Sequence, residues 1–345
     1  MKWWGRELTR RELEGYTSDW RQMADIRLVT LDDGPERGVR AALCRTGGGL
    51  AFMVLLDRGL DIGPADYKGI PLAWQSGTGA ANPARHEPAG KGWLRTFHGG
   101  LLALCGLTTA GYSDEYPVDP ANGETLGLHG RVGTIPAYDV RIERDLTDAG
   151  MTLRLHGTVD EVSLFGPKLR LQRTLEFDGG GAEIRITDTV RNFGGQPAPL
   201  MVLYHLNFGF PLLSPDSIMT SPAAEIVPRD AIAETGLGQW NIFTPPQPGF
   251  AEQVYWHHVP PGAGEVEAAI SNPALGVGVA VRYDSTTLTG LTEWKQMGFG
   301  DYVLGIEPGN CYPVGRALAR EQGMLKELGP GEEVTYRLAL RVTAS

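Results

Sequence analysis

Apolar and polar residues alternate most regularly near the middle of the chain, in two segments that flank the turn residues 178–181. The apolar positions of the two segments are Leu169, Leu171, Leu175, Phe177, Ile184, Ile186 and Val190. A period of two places every second side chain on the same face of a strand, so each segment buries one face and exposes the other. Three consecutive glycines in the turn allow the chain to reverse. The pattern predicts a long antiparallel hairpin with one dry face and one wet face.

Shorter runs of the same kind occur on both sides of the hairpin. They lie at 26–31, 39–44, 50–56, 151–159, 266–271, 276–283, 302–306 and 334–342. The chain also contains 47 Gly and 24 Pro, which is typical of many turns between short strands. The best helix candidate is residues 9–24, where Thr9 can cap the first turn and Glu12 follows three residues later. These patterns predict an all-β fold with few short helices. We expect one large antiparallel domain over 1–345, with 1–24 as a helical or extended lead-in.

Composition and charge argue against several classes of partner. The formal net charge is −10 over 345 residues, whereas nucleic acids and anionic membrane surfaces are bound by Lys and Arg. No window approaches the length of an apolar membrane span, and the N-terminal segment has no signal-peptide core. Three cysteines, Cys44, Cys105 and Cys311, lie far apart, which fits a reducing compartment better than a disulfide framework. We expect a cytoplasmic protein with no nucleic-acid and no membrane partner, and the sequence leaves its oligomeric state open.

The sequence lacks the common signatures of nucleotide and hydrolytic sites. It contains no P-loop, no Gly-x-Ser-x-Gly elbow, no His-Glu-x-x-His and no Cys-x-x-Cys. It does place a carboxylate, Glu307, at the end of the apolar run 302–306, and an imidazole, His205, inside the apolar run 202–210. A carboxylate and an imidazole that face each other across a cleft can move protons between two oxygens. This chemistry favours a sugar enzyme.

Two further histidines stand next to glycines, which let the backbone approach a ligand closely. His98 lies in an FHGG sequence and His129 in a GLHG sequence. The remaining histidines have structural interpretations: solvent-exposed positions for His257 and His258, a loop for His86 and a strand for His156.

Three short segments, in this order, resemble segments of the aldose 1-epimerases (galactose mutarotases). GLHGRVG at 127–133 is similar to the family's Leu-His-Gly-Gly-x-x-Gly segment, and YHLNFG at 204–209 to its Asn-His-x-Tyr-Phe-Asn segment. LGIEP at 304–308 is similar to the strand-end Glu-Pro of the family. DRGLDI at 57–62 and EWK at 293–295 mark an uncharacterised mutarotase-like branch, and the resemblance spans 25–343.

The resemblance implies a large antiparallel β-supersandwich and an isomerase that interconverts sugar anomers with no cofactor and no metal. Carried over by position, His205 is the expected general acid, Glu307 the general base and His129 a ligand of a sugar hydroxyl. Asn207, from the same segment as His205, is a further expected substrate ligand.

Two substrate ligands of the family have no counterpart here. The family's Arg is expected near 93–108, where no arginine follows Arg95, and its Asp near 250–260, where Glu252 and Tyr255 are the nearest candidates. Candidate replacements for the missing donors are His98, Arg58, Arg131 and Lys295.

Trp294 is the tryptophan most favoured as a platform for the apolar face of a sugar, since Lys295 follows it and Glu307 comes one hairpin later. If Lys295 or Arg131 faces the cleft, an anionic sugar becomes an attractive substrate. Two alternatives stay open at this point. His98, His129, His205 and Glu307 could bind a divalent metal in a sugar isomerase or epimerase, or the protein could bind carbohydrate without catalysis.

Overall fold

The computed structural model describes residues 2–3, 6–113 and 126–344. The strands in these ranges are β1 (Lys2–Trp3), β2 (Arg6–Glu7), β3 (Asp25–Thr30), β4 (Arg40–Arg45), β5 (Leu50–Leu55), β6 (Asp61–Tyr67), β7 (Ile70–Pro71), β8 (Leu102–Cys105), β9 (Tyr138–Leu146), β10 (Met151–Val162), β11 (Lys168–Asp178), β12 (Glu183–Asn192), β13 (Ala198–Leu200), β14 (Leu203–Gly209), β15 (Ile218–Thr220), β16 (Glu225–Pro228), β17 (Gln253–His258), β18 (Glu265–Asn272), β19 (Val277–Asp284), β20 (Gly290–Met297), β21 (Tyr302–Gly309), β22 (Lys326–Leu328) and β23 (Glu333–Ala344). The helices are α1 (Arg10–Glu14), α2 (Ala231–Glu234) and α3 (Arg316–Glu321).

Two large sheets contain most of the strands. The first has eight strands in the order β15-β18-β19-β23-β12-β11-β10-β9. The second has the order β16-β17-β20-β21-β14-β8-β6-β5-β4-β3, with β7 paired to β6. The pairings around β12 and β14 are antiparallel. The predicted fold class, all-β and antiparallel with few short helices, is confirmed.

The predicted central hairpin is β11 and β12. Leu171 pairs with Val190 and Leu175 with Ile186, so the alternating apolar residues of both strands lie on one face. These side chains are buried, whereas the residues between them are more exposed. The predicted hairpin, with its alternating apolar residues on one face, is therefore present.

The predicted helix at 9–24 is present only in its first turn and a half, as α1. Its cap is the expected one: Thr9 Oγ1 accepts a hydrogen bond from the Glu12 N–H at 3.1 Å, and the Glu12 carboxylate accepts one from the Thr9 N–H at 2.8 Å. Gly15 follows the last helical residue, and glycine is a poor helix former. The prediction was right about where the helix begins and wrong about its length.

The main core lies between the two large sheets and takes apolar side chains from both, such as Leu171 from β11 and Leu206 from β14. A second apolar cluster includes the alternate residues of β8 and β14: Ala103, Cys105 and Leu203. Every residue of β14 is therefore buried. This double burial explains why its sequence is a nearly continuous apolar run rather than an alternating one. The second cluster marks the face that carries the candidate site.

Candidate active site

A cavity of about 340 Å³ lies on this second face, over β14, β21, β20 and β17. Its apolar lining includes Trp93, Leu94, Phe97, Tyr112, Leu128, Val254, Trp256, Trp294 and Pro313. Its charged and hydrogen-bonding lining consists of Lys91, His129, His205, Arg229, Glu252, Thr292 and Glu307. A mostly apolar cavity with a few converging polar groups is typical of a small-molecule site. A larger groove of about 410 Å³ along β3 to β6 has no histidine in its described lining, so we assign the site to the smaller cavity.

Three polar residues form a row across neighbouring strands at the floor of the cavity. β14 pairs with β21 in a register that matches Leu203 with Gly309 and Leu206 with Ile306, which places His205 opposite Glu307. On the other side of Glu307, β20 places Thr292 directly opposite it. Side chains of directly opposed residues lie on one face and can touch. The sheet thus sets His205, Glu307 and Thr292 side by side.

His205 and Glu307, the two predicted catalytic residues, are in contact. His205 Nε2 lies 3.2 Å from Glu307 Oε1, and the two side chains are 6% and 3% exposed. Gly305, two residues before Glu307 on the same face, leaves room for the carboxylate, since a Cβ at Gly305 would lie 2.5 Å from Glu307 Oε1. Within the described part of the chain, neither Glu307 Oε1 nor His205 Nδ1 has a hydrogen-bond partner. Each side chain therefore keeps one polar atom whose hydrogen-bonding capacity is unused.

Burial shifts the pKa values of this pair in opposite directions. Loss of water raises the pKa of Glu307 well above its ordinary value; the charge of Glu252 raises it further, and that of Arg229 lowers it. Loss of water lowers the pKa of His205 to about 4. In both cases the charged form is the one that burial disfavours. Glu307 is therefore a stronger base than an exposed carboxylate, and protonated His205 a stronger acid than an exposed imidazolium.

His129, the predicted sugar ligand, also lines the cavity. Its backbone has a left-handed φ of 58°, and its ring centroid lies 5.7 Å from that of His205. Its Nδ1 accepts a hydrogen bond from the Gly111 N–H at 3.3 Å. Burial, together with His205, lowers the pKa of His129 to about 3. A neutral imidazole whose Nδ1 accepts carries its proton on Nε2, so His129 is a hydrogen-bond donor there.

The residue after His129 must be a glycine because the backbone packs closely there. A Cβ at Gly130 would lie 2.5 Å from the carbonyl oxygens of Gly106 and Thr109. The GLHG sequence therefore marks a close approach of two backbone segments, which positions His129.

Trp294 lines the cavity, as predicted, and connects to two residues of the rim. Its Nε1 donates a hydrogen bond to Glu252 Oε2 at 2.9 Å, and Arg229 Nη2 donates one to Glu252 Oε1 at 3.1 Å. Arg229 Nε donates another to Asp230 at 2.8 Å. The Trp294 ring lies edge-on to His205, with centroids 5.3 Å apart. Glu252 was noted in the sequence as an acid near the expected position, but Arg229 was missed.

An aromatic wall beside His205 comes from the long segment between β7 and β8. Trp93 and Phe97 stack with ring centroids 4.1 Å apart, and Phe97 lies 5.2 Å from the His205 ring. A long segment without periodicity is often functional, and this one supplies part of the cavity lining. Nothing in its pattern shows which of its residues would face the site.

The predicted cationic ligands do not line the cavity. Lys295 Nζ donates to three backbone carbonyl oxygens, those of Gln239, Trp240 and Ile242, at 2.6 to 3.3 Å. Since Lys295 follows Trp294 in a strand, it lies on the opposite face of the sheet. Arg58 is 2% exposed and donates to the backbone carbonyl oxygens of Ala81 and Thr96. Arg131 lies in the turn after His129, outside the lining.

Asn207 and His98 are buried behind the cavity wall rather than in its lining. Asn207 Nδ2 donates to the carbonyl oxygens of Gly99 and Gly100, which fixes the segment that carries His98. His98 is 4% exposed, and burial lowers its pKa well below the ordinary value, with Arg58 adding to the shift. The proposed substrate ligands therefore do not include Asn207, His98, Lys295, Arg58 or Arg131.

The expectation that His257 is exposed is wrong. Its side chain and that of Glu293 are both 0% exposed, and His257 Nε2 lies 3.1 Å from Glu293 Oε2. His257 Nδ1 lies 2.7 Å from Ser221 Oγ. His258, one residue later, is 43% exposed. Trp256 lines the cavity, so His257 points to the other face of the sheet.

The metal-site alternative required His98 to join His129, His205 and Glu307, and the structure keeps His98 out of their cavity. Among residues 2–3, 6–113 and 126–344, no group of three His, Cys, Asp or Glu side chains is arranged to hold a metal ion.

Residues 36–342 match a protein family described as a domain of unknown function, DUF4432. The chain belongs to the DUF4432 family. No curated protein matches it.

Solved structures with the same fold as this DUF4432 chain include sugar-epimerase relatives. A candidate aldose 1-epimerase from Klebsiella pneumoniae is 27% identical, with a TM-score of 0.86 over 93% of this chain and 83% of that one. A galactose mutarotase-like protein from Clostridium acetobutylicum is 14% identical, with a TM-score of 0.64 over 94% of this chain and 100% of that one. A galactose 1-epimerase from Lactobacillus acidophilus is 13% identical, with a TM-score of 0.60 over 93% and 99%.

These structures confirm the resemblance drawn from the three short segments, and the fold of this DUF4432 protein is a galactose mutarotase-like β-sandwich. The last two matches show the fold alone, because their identity is low. Within the described ranges, no helix is long and apolar enough to cross a bilayer.

Proposed function

We propose that this protein is an aldose 1-epimerase-like enzyme that interconverts the two anomers of a monosaccharide. The observation that carries the proposal is the contact between His205 Nε2 and Glu307 Oε1, 3.2 Å apart at the floor of an aromatic cavity. The two oxygens that exchange protons in a cyclic sugar are bonded to the same carbon. An acid and a base that touch each other can therefore each reach one of them.

In the proposed reaction, ionised Glu307 takes the proton of the anomeric hydroxyl while protonated His205 donates its extra proton to the ring oxygen. The bond between the anomeric carbon and the ring oxygen breaks, and the open chain carries a carbonyl group. Rotation about the bond between the first and second carbons presents the other face of this carbonyl. Closure then reverses both proton transfers, so the pair ends with the protons it had at the start. Each such transfer contributes about 10²- to 10⁴-fold to the rate.

The remaining lining supports a small sugar. Trp294 offers a flat apolar surface beside His205, and His129 offers a donor for a hydroxyl group. Besides His205 and His129, the charged groups of the lining are Lys91, Arg229, Glu252 and Glu307. Arg229 is already paired with Glu252 and Asp230. We therefore propose a neutral sugar rather than an anionic one.

The test compares two His–Glu pairs of equal separation. His205→Asn and Glu307→Gln are expected to lower the rate of anomer exchange by about 10²- to 10⁴-fold. The matched controls are His258→Asn and Glu225→Gln, a pair also 3.2 Å apart but exposed and outside the cavity. These controls should keep the wild-type rate. Exchange is measured by polarimetry or saturation-transfer NMR over a panel of neutral and anionic sugars.

Three outcomes would contradict the proposal. The first is wild-type protein that accelerates exchange of no sugar in the panel. The second is tight sugar binding without acceleration, which would indicate a carbohydrate-binding protein. The third is full activity in either cavity variant, which would remove that residue from the reaction.

A further inference from the structure

Thr292 carries a buried hydroxyl group in the cavity lining, and the proposed reaction gives this group no role. It is 1% exposed, and its Oγ1 has no hydrogen-bond partner in the described part of the chain. Buried hydroxyl groups are nearly always hydrogen-bonded, because leaving one unsatisfied costs free energy. An unsatisfied hydroxyl that borders a cavity is therefore a position where a ligand atom completes the contact.

A second unsatisfied atom on the neighbouring strand indicates which kind of ligand atom this is. Thr292 lies directly opposite Glu307, and Glu307 Oε1 is a second unsatisfied atom in the same lining. One group that satisfies both must donate a hydrogen bond to a carboxylate and accept one from a hydroxyl. A sugar hydroxyl does both, whereas a ring oxygen only accepts.

We propose that the Thr292 hydroxyl donates a hydrogen bond to the anomeric oxygen of the sugar, the same oxygen whose proton Glu307 removes. This inference rests on the proposed function and adds a third substrate contact to it. Thr292 keeps its own proton throughout, and the proton that moves goes from the anomeric hydroxyl to Glu307. Negative charge then develops on the anomeric oxygen as the transfer proceeds. A donor aimed at that charge binds the transition state more tightly than the substrate, so its loss lowers kcat.

The experiment uses Thr292→Val, which replaces the hydroxyl by a methyl group of similar size, and Thr292→Ser, which keeps the hydroxyl. Thr292→Val is expected to lower kcat roughly 10- to 100-fold with little change in KM. Thr292→Ser should stay within about threefold of wild type. The Val variant should also unfold at the wild-type temperature or slightly above it, because it removes a buried hydroxyl that has no partner.

Activity and stability thus move in different directions, which a structural role would not produce. A Val variant with wild-type kcat would overturn the inference. So would a Val variant whose melting temperature falls by several degrees, or a Ser variant as slow as Val. A change confined to KM would place the hydroxyl on a different substrate oxygen and would equally overturn it. All these outcomes presuppose active wild-type protein, so failure of the proposed function is recognised separately, by wild type that exchanges no sugar.

Discussion

The second sheet carries two buried His–Glu pairs of nearly equal separation, one on each face. His205 and Glu307 lie 3.2 Å apart on the cavity face, and His257 and Glu293 lie 3.1 Å apart on the other. The members of both pairs come from adjacent strands. In the cavity pair, one ring nitrogen is left without a partner in the described chain; in the other, Ser221 contacts the second nitrogen.

The comparison shows that separation and burial do not by themselves identify a catalytic pair. His257 has a partner on each nitrogen, and its side chain is fully enclosed, so its contacts are structural. His205 and Glu307 keep unsatisfied atoms, and both residues line the cavity. Glu293 Oε1 is also without a partner in the described chain, so the proposed catalytic pair is distinguished by an unused ring nitrogen on His205 and by its place in a cavity lining.

The same substitution in both pairs tests this difference most strongly. His257→Asn should lower the free energy of unfolding by about 3 kcal/mol, because it leaves the Glu293 carboxylate buried without its partner. His205→Asn should cost about 1 kcal/mol or less, because Glu307 borders the cavity and the substitution removes no hydrogen bond to its Oε1. Urea unfolding measures both values. Anomer exchange should show the reverse order, with kcat kept in the His257 variant.

Two results would end the distinction between the pairs. One is a folded His257→Asn protein whose exchange rate falls as far as that of His205→Asn. The other is an equal loss of stability in both variants.

Strands with one wet face were predictable from the sequence, and strands with two dry faces or an unusual composition were less so. The alternation of apolar and polar residues predicted the hairpin β11–β12, since its outer face meets solvent. β6 contains Gly63 and Pro64, which disfavour strands, yet it lies between β5 and β8 in the sheet. Its place there depends on neighbours that are distant in sequence, and no local pattern encodes them.

The catalytic candidates were predictable because each belongs to a recognisable segment, whereas the rest of the lining was not. Arg229 and Tyr112 come from separate parts of the chain and meet at the cavity only through tertiary structure. The alternation of side chains between the two faces of a strand was a signal in the sequence that the site prediction did not use. Once Trp294 is placed in the cavity, period two puts Thr292 beside it and sends Lys295 to the other face. The same rule would have separated His257 from Trp256.

A smaller effect concerns the pH dependence of stability at the two carboxyls. Burial raises the pKa of Glu307 well above its unfolded value, and raises that of Glu293 against the opposing effect of His257. A carboxyl with a raised folded pKa stabilises the fold only while protonated, so its contribution is lost as pH rises through that value. The stability of Glu307→Gln relative to wild type should therefore increase as pH rises from 4.5 to 8.5. The gain for Glu293→Gln should be smaller.

Urea unfolding across this pH range measures the difference. A Glu307→Gln variant that loses stability relative to wild type as pH rises would show that Glu307 is ionised at little cost in the folded protein. Its raised pKa would then be wrong, and with it the argument that burial makes Glu307 a strong base.

The smallest expected effect is a pair of opposite shifts in the pH dependence of exchange, and it applies to the cavity pair alone. Glu252 raises the pKa of Glu307 and Arg229 lowers it. The reaction needs ionised Glu307 together with protonated His205. Because burial raises the pKa of Glu307 and lowers that of His205 to about 4, this combination exists while the pair holds one proton between them, so the rate falls as pH rises through the pKa of Glu307. Glu252→Gln should move this fall to lower pH and Arg229→Gln should move it to higher pH, by small amounts because water partly screens both charges. Arg229→Lys keeps the charge and serves as the control, with no shift expected.

Salt separates these charge effects from changes in shape. In 0.5 M NaCl the Debye length is shorter than at low salt, so both shifts should shrink towards zero while the maximal rates stay as they were. Shifts in the same direction, or shifts that persist in salt, would mean that the substitutions act by moving Trp294, which hydrogen-bonds to Glu252. Substitution of His257 or Glu293 should not change the rate of exchange at any pH, since that pair lies on the other face of the sheet.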